Sequence, residues 1–192
     1  MLKVENRINS KKELREWITY EREIYHVTCG GGVRELFPVS ERDILRKHQV
    51  ILRKTEYYIN TGKHIKSKIY KIILQRIQNK YGLHIPANTC GKGLKIMHVG
   101  PVLINEKATV GQNCSFHINT ALVAGGTSDE APTLGNNIVI GIGAVVLGKT
   151  YVANKVAIGA NAVVNKDVLE EDISVAGVPA HKISNVGVSG WK

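Results

Sequence analysis

The sequence predicts a mainly β protein: a parallel β-helix of six-residue repeats, preceded by an α-helical segment. Three observations predict it. From residue 85 onward an apolar residue recurs every six positions, at Ile104, Val110, Phe116, Leu122, Leu134, Ile140, Val146, Val152, Ile158 and Val164. From about residue 10 to 82 the apolar spacing is that of a helix instead. The charge divides at the same place: residues 1–84 hold 18 Lys and Arg against 9 Asp and Glu, and residues 85–192 hold 8 against 7.

The 192 residues are enough for one domain with a real core, or one domain and a small appendage. The division expected is a helical segment over 1–83, a β-helix over 84–184 with an extended loop near 124–133, and a tail over 185–192. The start, "MLKVENRINSKKELREW", is charged and lacks the apolar core of a leader peptide. No run reaches the roughly 20 apolar residues of a membrane span. Cys29, Cys90 and Cys114 form no CxxC pair. A reduced, cytoplasmic protein is the expectation.

Three helices are predicted before the repeats. "SKKELREWITYEREIY" opens on Ser10 with Glu13 three residues on, a capping box. After "TCGGGVRELFPV", Ser40 starts a second helix running to about Tyr58. "GKHIKSKIYKIILQRIQNKYG" gives a third, with Ile65, Ile69, Ile72, Ile73 and Ile77 on one face and Gly82 as its C-cap. Lys66, Lys68, Lys71, Arg76 and Lys80 lie on the other face. The isoleucine face is expected against a core or a subunit interface. The alternative is a basic amphipathic helix at the inner face of an anionic membrane. The tract has no nucleic-acid-binding motif, so nucleic acid is not expected.

The hexads suit a triangular coil in which each supplies one flat β side and one corner, and three close a turn. Position i+1 is often small or turn-forming, as at Gly111, Gly135, Gly141 and Gly159. Position i+4 is small or β-branched, as at Ala108, Cys114, Thr120, Ala144, Thr150, Val156 and Ala162, where a corner has little interior room. Cys90 and Cys114 fall on interior positions and read as packing, not as nucleophiles. The pattern breaks twice. "VAGGTSDEAPT", between Leu122 and Leu134, is polar and turn-forming and is expected to leave the coil as a loop. Ile96 and Ile104 are eight apart, and the stretch "LKIMHVGPVLIN" around them contains His98. A histidine in an aliphatic run is ordinarily a satisfied core residue. At an irregular turn its ring can instead reach a cleft.

The motifs "GKGLKIMHVGPVLIN", "HINTALVAGGT", "APTLGNNIVIGIGAVVLG", "VAIGANAVVNKDV" and "VAGVPAHKI" resemble the hexapeptide-repeat acyltransferases of the serine acetyltransferase type. The resemblance covers about residues 82–184. It implies a left-handed coil, acetyl-CoA as donor, a hydroxyl as acceptor, no metal, and a trimer or pair of trimers with active sites between neighbouring β-helices. The family's catalytic histidine carries over to His98, as the general base that takes the acceptor's proton; imidazole titrates near neutrality and suits that task. Gly125, Gly126, Ile142 and Ala160 match positions that meet the pantetheine arm. Asn165, Lys166, His181 and Lys182 match positions near the nucleotide end. Direct transfer from donor to acceptor is implied.

Two departures from the family bear on the acceptor. Serine-specific members carry "DRHP" after the glycine loop, and this chain has "DEAP", Asp129 to Pro132. They also carry an aspartate in "VDIHP" that orients the catalytic histidine, and in "GLHIP" here His84 takes its place. Glu106 is the nearest acidic residue in sequence that could orient His98. His117, 19 residues after His98, is expected on the adjacent coil, lining the same cleft, replacing His98 as base, or facing solvent. The three histidines His84, His98 and His117 do not have the spacing of hexapeptide-repeat zinc enzymes. These departures favour a sugar hydroxyl in a polysaccharide or cell-surface glycan as acceptor. The alternatives are serine, for cysteine synthesis, and an inactive scaffold. The ending "NVGVSGWK" lacks the terminal isoleucine many serine-specific members use to dock a partner enzyme.

Overall fold

A computed structural model describes residues 7–25, 40–126 and 129–190. The expected loop over 28–39 with Cys29, Thr127 and Ser128 of the glycine loop, and the last two residues of the tail lie outside the described residues. Among those described, three α-helices precede fourteen short strands.

Helix α1 (Lys11–Ile24) begins at the expected capping box: Ser10 Oγ accepts the Glu13 N–H, and the Glu13 carboxylate accepts the Ser10 N–H. Helix α2 (Glu41–Asn60) has the same device, built from Ser40 and Asp43. Helix α3 (His64–Tyr81) ends on Gly82, whose φ of 73° is the left-handed cap geometry that glycine adopts without strain. Of the two expectations for the isoleucine face of α3, packing on the chain's own core is not met. Within the chain, Leu74 and Gln78 are the residues of α3 that bury. Ile65, Ile69, Ile72 and Ile73 stay on the surface, Ile65 with 78% of its area exposed. The five isoleucines share one face, and the side that packs within the chain is the adjacent one, carrying Leu74 and Gln78. An exposed apolar ridge is what a subunit interface requires, and equally what the membrane alternative requires. No helix among the described residues is long and apolar enough to cross a membrane.

From Leu83 the chain winds as a triangular coil with three sheets. The first holds β1 (Leu83–His84), β3 (Val102–Ile104), β6 (Thr120–Val123), β9 (Val145–Leu147) and β12 (Val163–Val164). The second holds β4 (Thr109–Val110), β7 (Thr133–Leu134) and β10 (Tyr151–Val152). The third holds β2 (Lys95–Ile96), β5 (Ser115–Phe116), β8 (Val139–Ile140), β11 (Ala157–Ile158) and β13 (Ser174–Ala176), closed by the antiparallel β14 (His181–Ser184). All other pairings are parallel, as stacked coils require. The hexad residues from Ile96 to Val164 are 0–2% exposed, so the repeat is a list of the core.

The corners follow from the same arithmetic. After the second and third sheets the turn residue sits at positive φ, and it is usually asparagine or glycine: Asn113, Asn137 and Lys155 after the second, Asn119, Gly143 and Asn161 after the third. Both irregularities keep the pairing. Val110 pairs with Leu134 and Leu122 with Val146, so the insert at 123–132 adds six residues to a normal coil as an outward excursion. Lys95 pairs with Ser115, so the coil through His98 is longer by two.

The helices are held to the first coils by buried polar contacts. Arg53, fully buried, donates to both carboxylate oxygens of Glu21 on α1, to Glu56 one turn along α2, and to the carbonyls of Cys90 and Gly91. Glu21 also accepts the Gly93 N–H, and Glu56 accepts the Asn88 N–H. Gln49 and Gln78 donate to the carbonyls of Leu94 and Ile85, and Tyr25 Oη accepts the Ile96 N–H. Burial would lower the Arg53 pKa, but Glu21 and Glu56 more than reverse it; Glu56 itself is raised by its burial. His48, beside Gln78, is kept neutral by burial, its pKa lowered to about 4.

Removing Arg53 leaves two carboxylates and two carbonyls buried without their cation. Arg53→Ala is expected to lower the unfolding free energy by about 3–5 kcal/mol in urea titrations. A loss below about 1 kcal/mol would mean that the helices are held on by their apolar contacts alone.

Candidate active site

The triangular section sorts the expected site residues onto two edges. His98 lies between β2 and β3, His117 between β5 and β6, Ile142 between β8 and β9, and Ala160 between β11 and β12. All four occupy the edge where the third sheet turns into the first. Neighbouring coils stack about 4.8 Å apart, so these positions rise along the edge one coil at a time. Backbone bonds tie the levels together: Gly143 N–H donates to Ile118, and Asn161 N–H to Ile142. Ile142 is exposed, an apolar step on this edge.

Gly125 and Gly126 follow β6, and Asn165 and Lys166 follow β12, on the edge where the first sheet turns into the second. Gly125, Leu147, Gly148, Lys149, Thr150, Asn165, Lys166 and Asp167 line an open cleft of about 450 Å³. Gly125 and Gly148 approach closely: a Cβ added to Gly125 would stand 3.4 Å from the Gly148 Cα. Asp167 accepts the Tyr151 N–H at 2.8 Å, which fixes the turn presenting Lys166. The acidic residues of the "DEAP" stretch are engaged by lysines, Asp129 with Lys107 at 3.1 Å and Glu130 with Lys149 at 2.9 Å. Both pairs are exposed and contribute little stability, but they restrain the loop beside the cleft. His181 and Lys182 lie on β14 at the far end of the third sheet, and the Lys182 ammonium meets Glu170.

His98 is not a core histidine. Its side chain is 58% exposed, and Nδ1 lies 3.4 Å from Oε2 of Glu41. Oε1 of Glu41 accepts the Val99 N–H at 2.6 Å. Glu41 is the first residue of α2 and its carboxyl is held below its ordinary pKa, chiefly by the Val99 N–H and then by His98. The carboxylate that reaches His98 therefore comes from the helical segment, 57 residues away in sequence. Glu106 does not take that place: it follows β3 on the other edge, in a cleft with Ile59, Lys71, Pro86, Ala87, Asn88 and Lys107. His84 lies exposed on β1. His117 is close enough to His98 and Lys95 for both to lower its pKa, after the larger effect of its partial burial. Burial pushes the Cys90 and Cys114 thiols up to about 12, so neither is a ready nucleophile. No group of three or more metal-ligating side chains occurs among the described residues.

No family model matches the chain. A serine acetyltransferase of Synechococcus elongatus is 39% identical over 119 residues, 60% of this chain and 47% of that protein. One of Buchnera aphidicola is 35% identical over 141 residues, 70% of this chain and 49% of that protein. The chain thus spans about half the length of the curated relatives it matches. Among solved structures, a serine acetyltransferase of Brucella abortus superposes with a TM-score of 0.70 at 22% identity, covering 93% of this chain and 72% of that one. The same Brucella protein has been solved in complex with coenzyme A, with a TM-score of 0.60 at 20% identity, covering 92% of this chain and 70% of that one. The fold is the left-handed β-helix of hexapeptide-repeat acyltransferases, and the homologues are serine acetyltransferases. The expectation of a sugar acceptor is corrected by these relatives: their names support the serine alternative, and none supports kinship with polysaccharide-modifying enzymes.

The proximity of the two histidines can be tested without any substrate. In His98→Ala, the His117 ring is expected to titrate at higher pH, because a neighbouring positive charge has been removed. The pH dependence of its ring resonances reads this directly. An unchanged midpoint would place the rings too far apart to share a site.

Proposed function

We propose that the chain transfers an acetyl group from acetyl-CoA to the side-chain hydroxyl of serine, with His98 as general base. The observation carrying this reading is the exposed His98 at the foot of an edge continued by His117, Ile142 and Ala160, in a chain whose relatives are serine acetyltransferases. Nε2 of His98 takes the hydroxyl proton as the serine oxygen attacks the thioester carbonyl. The tetrahedral adduct collapses to the ester and expels the CoA thiolate, which recovers the proton from the imidazolium. No bond to the protein forms, in keeping with the raised thiol pKa values of Cys90 and Cys114.

The "DRHP" basic residues of serine-specific members are missing, so the carboxylate of serine needs another source of positive charge. Lys95, whose charge already acts on His117, supplies it on the His98 edge. The pantetheine arm follows Ile142 and Ala160, with Gly125 and Gly126 giving close backbone approach from the other edge. Lys166 and Asn165 meet the nucleotide end, and His181 and Lys182 lie farther along the coil axis.

One triangular coil cannot turn both edges toward the same ligand. The reading therefore includes a trimer in which the His98 edge of one copy faces the Gly125–Lys166 edge of the next, giving equivalent sites by three-fold symmetry.

CoA release in the presence of L-serine, followed with a thiol reagent, tests the activity. His98→Ala is expected to lower kcat by about 10²- to 10⁴-fold; an inactive scaffold would show no turnover for the substitution to reduce. Co-expression of His98→Ala with Lys166→Glu chains tests the shared site. If one site draws its two edges from different copies, random mixing leaves about a quarter of the sites intact, and activity returns to that level. Activity no higher than that of either variant alone would place both edges in one copy.

A further inference from the structure

In this fold the group that orients the base is ordinarily expected within the β-helix, yet His84 holds that position here and Glu106 sits on a different edge. The carboxylate beside His98 belongs to Glu41, and its two oxygens are used differently. Oε1 accepts the N–H of Val99, the residue after His98, at 2.6 Å; Oε2 faces the ring at Nδ1, 3.4 Å away. The backbone bond fixes where the carboxylate stands, and the ring contact then fixes the imidazole relative to its own main chain. Glu41 is itself held in place: it opens α2 inside the Ser40–Asp43 capping box, and α2 is anchored to the first coils through Arg53.

We propose that Glu41 is the positioning residue for His98, a role moved from the β-helix to the first turn of a docked helix. This rests on the reading of His98 as general base. An ionised carboxylate only accepts hydrogen bonds, so it selects the tautomer with the proton on Nδ1. Nε2 is then left as the free lone pair, directed away from α2, and this is the atom that can take a proton from an acceptor hydroxyl. When Nε2 is protonated, the same carboxylate stabilises the imidazolium. The contact is long for a charge-assisted bond, as such pairs often are before substrate is bound.

Glu41→Gln separates this role from a structural one. The amide oxygen can keep the Val99 N–H, which turns the NH₂ group toward Nδ1 and demands the opposite tautomer. The capping box uses Ser40 and Asp43, so the start of α2 is retained. The experiment is ¹⁵N-resolved NMR of the imidazole groups of the full chain, with His98→Ala to assign the resonances. In the parent protein the neutral His98 ring is expected as the Nδ1–H tautomer, and in Glu41→Gln as the Nε2–H tautomer. Glu41→Ala is expected to show a mixture, and it serves as the second variant should the amide disturb folding. Where serine turnover is present, Glu41→Gln is expected to lower kcat by roughly 10- to 100-fold, less than the ~10⁴ of a buried triad carboxylate because this pair is exposed. An Nε2–H tautomer in the parent protein, or an Nδ1–H tautomer unaffected by both substitutions, would overturn the role of Glu41. Absence of serine turnover alongside the expected tautomers would instead count against the acceptor, leaving the positioning intact.

Discussion

The structure depends on one buried cation. Arg53 joins Glu21 and Glu56 to the carbonyls of Cys90 and Gly91, and so ties two helices to the first coil of a β-helix at a single point. Trp17 lies against the guanidinium, 4.9 Å from its ring centroid, and helps close the site to water. Such a cluster is costly to bury, and an apolar substitute of equal volume could be as stable. What the ionic version contributes is geometry. Its planar fork has several fixed partners, and these set the rotation and height of α2 on the coil. The first turn of α2, three turns away, then falls over the His98 turn.

On the proposed reading of His98 and Glu41, that constraint gives the helical segment a chemical role. A stack of hexads makes a rigid column with repeated edges, and on such a column a site is built by adding length at chosen corners. The two added residues around His98 bring a ring out of the core, and the six-residue excursion after Leu122 forms one wall of the opposite cleft. On the proposed reading, the base and the Ile142 and Ala160 steps lie on one edge, and the glycine turn and Lys166 on the other. The separation is a direct consequence of the triangular section, and it makes assembly of copies part of the proposed chemistry.

Much of this was legible in the sequence. The hexads are local and periodic, so burial at Val110, Phe116, Ile140 and Ile158 could be read residue by residue, and the two-residue lengthening at His98 followed from counting. The caps at Ser10, Ser40 and Gly82 are equally local. Long-range contacts were not legible. Glu41 meets His98 across 57 residues, and nothing near Glu41 in the chain distinguishes it from any acidic residue in the first turn of a helix. Glu106 was closer in sequence but lay one corner away. The inward side of α3 was missed because the isoleucine stripe is the more apolar one, whereas the chain packs on the neighbouring side through Leu74 and Gln78. The sugar acceptor was favoured because two departures, "DEAP" and His84 in "GLHIP", were weighed above the rest of the resemblance. The relatives outweigh both departures.

The most direct measurement of the central claim is a crystal structure of the chain grown with coenzyme A. The account predicts a three-fold assembly. In it, the thiol lies beside His98 Nε2 of one copy, the pantetheine arm passes Ile142 and Ala160, and the nucleotide end meets Lys166 of the adjacent copy. Coenzyme A held entirely by one copy, or a thiol remote from every His98, would contradict it.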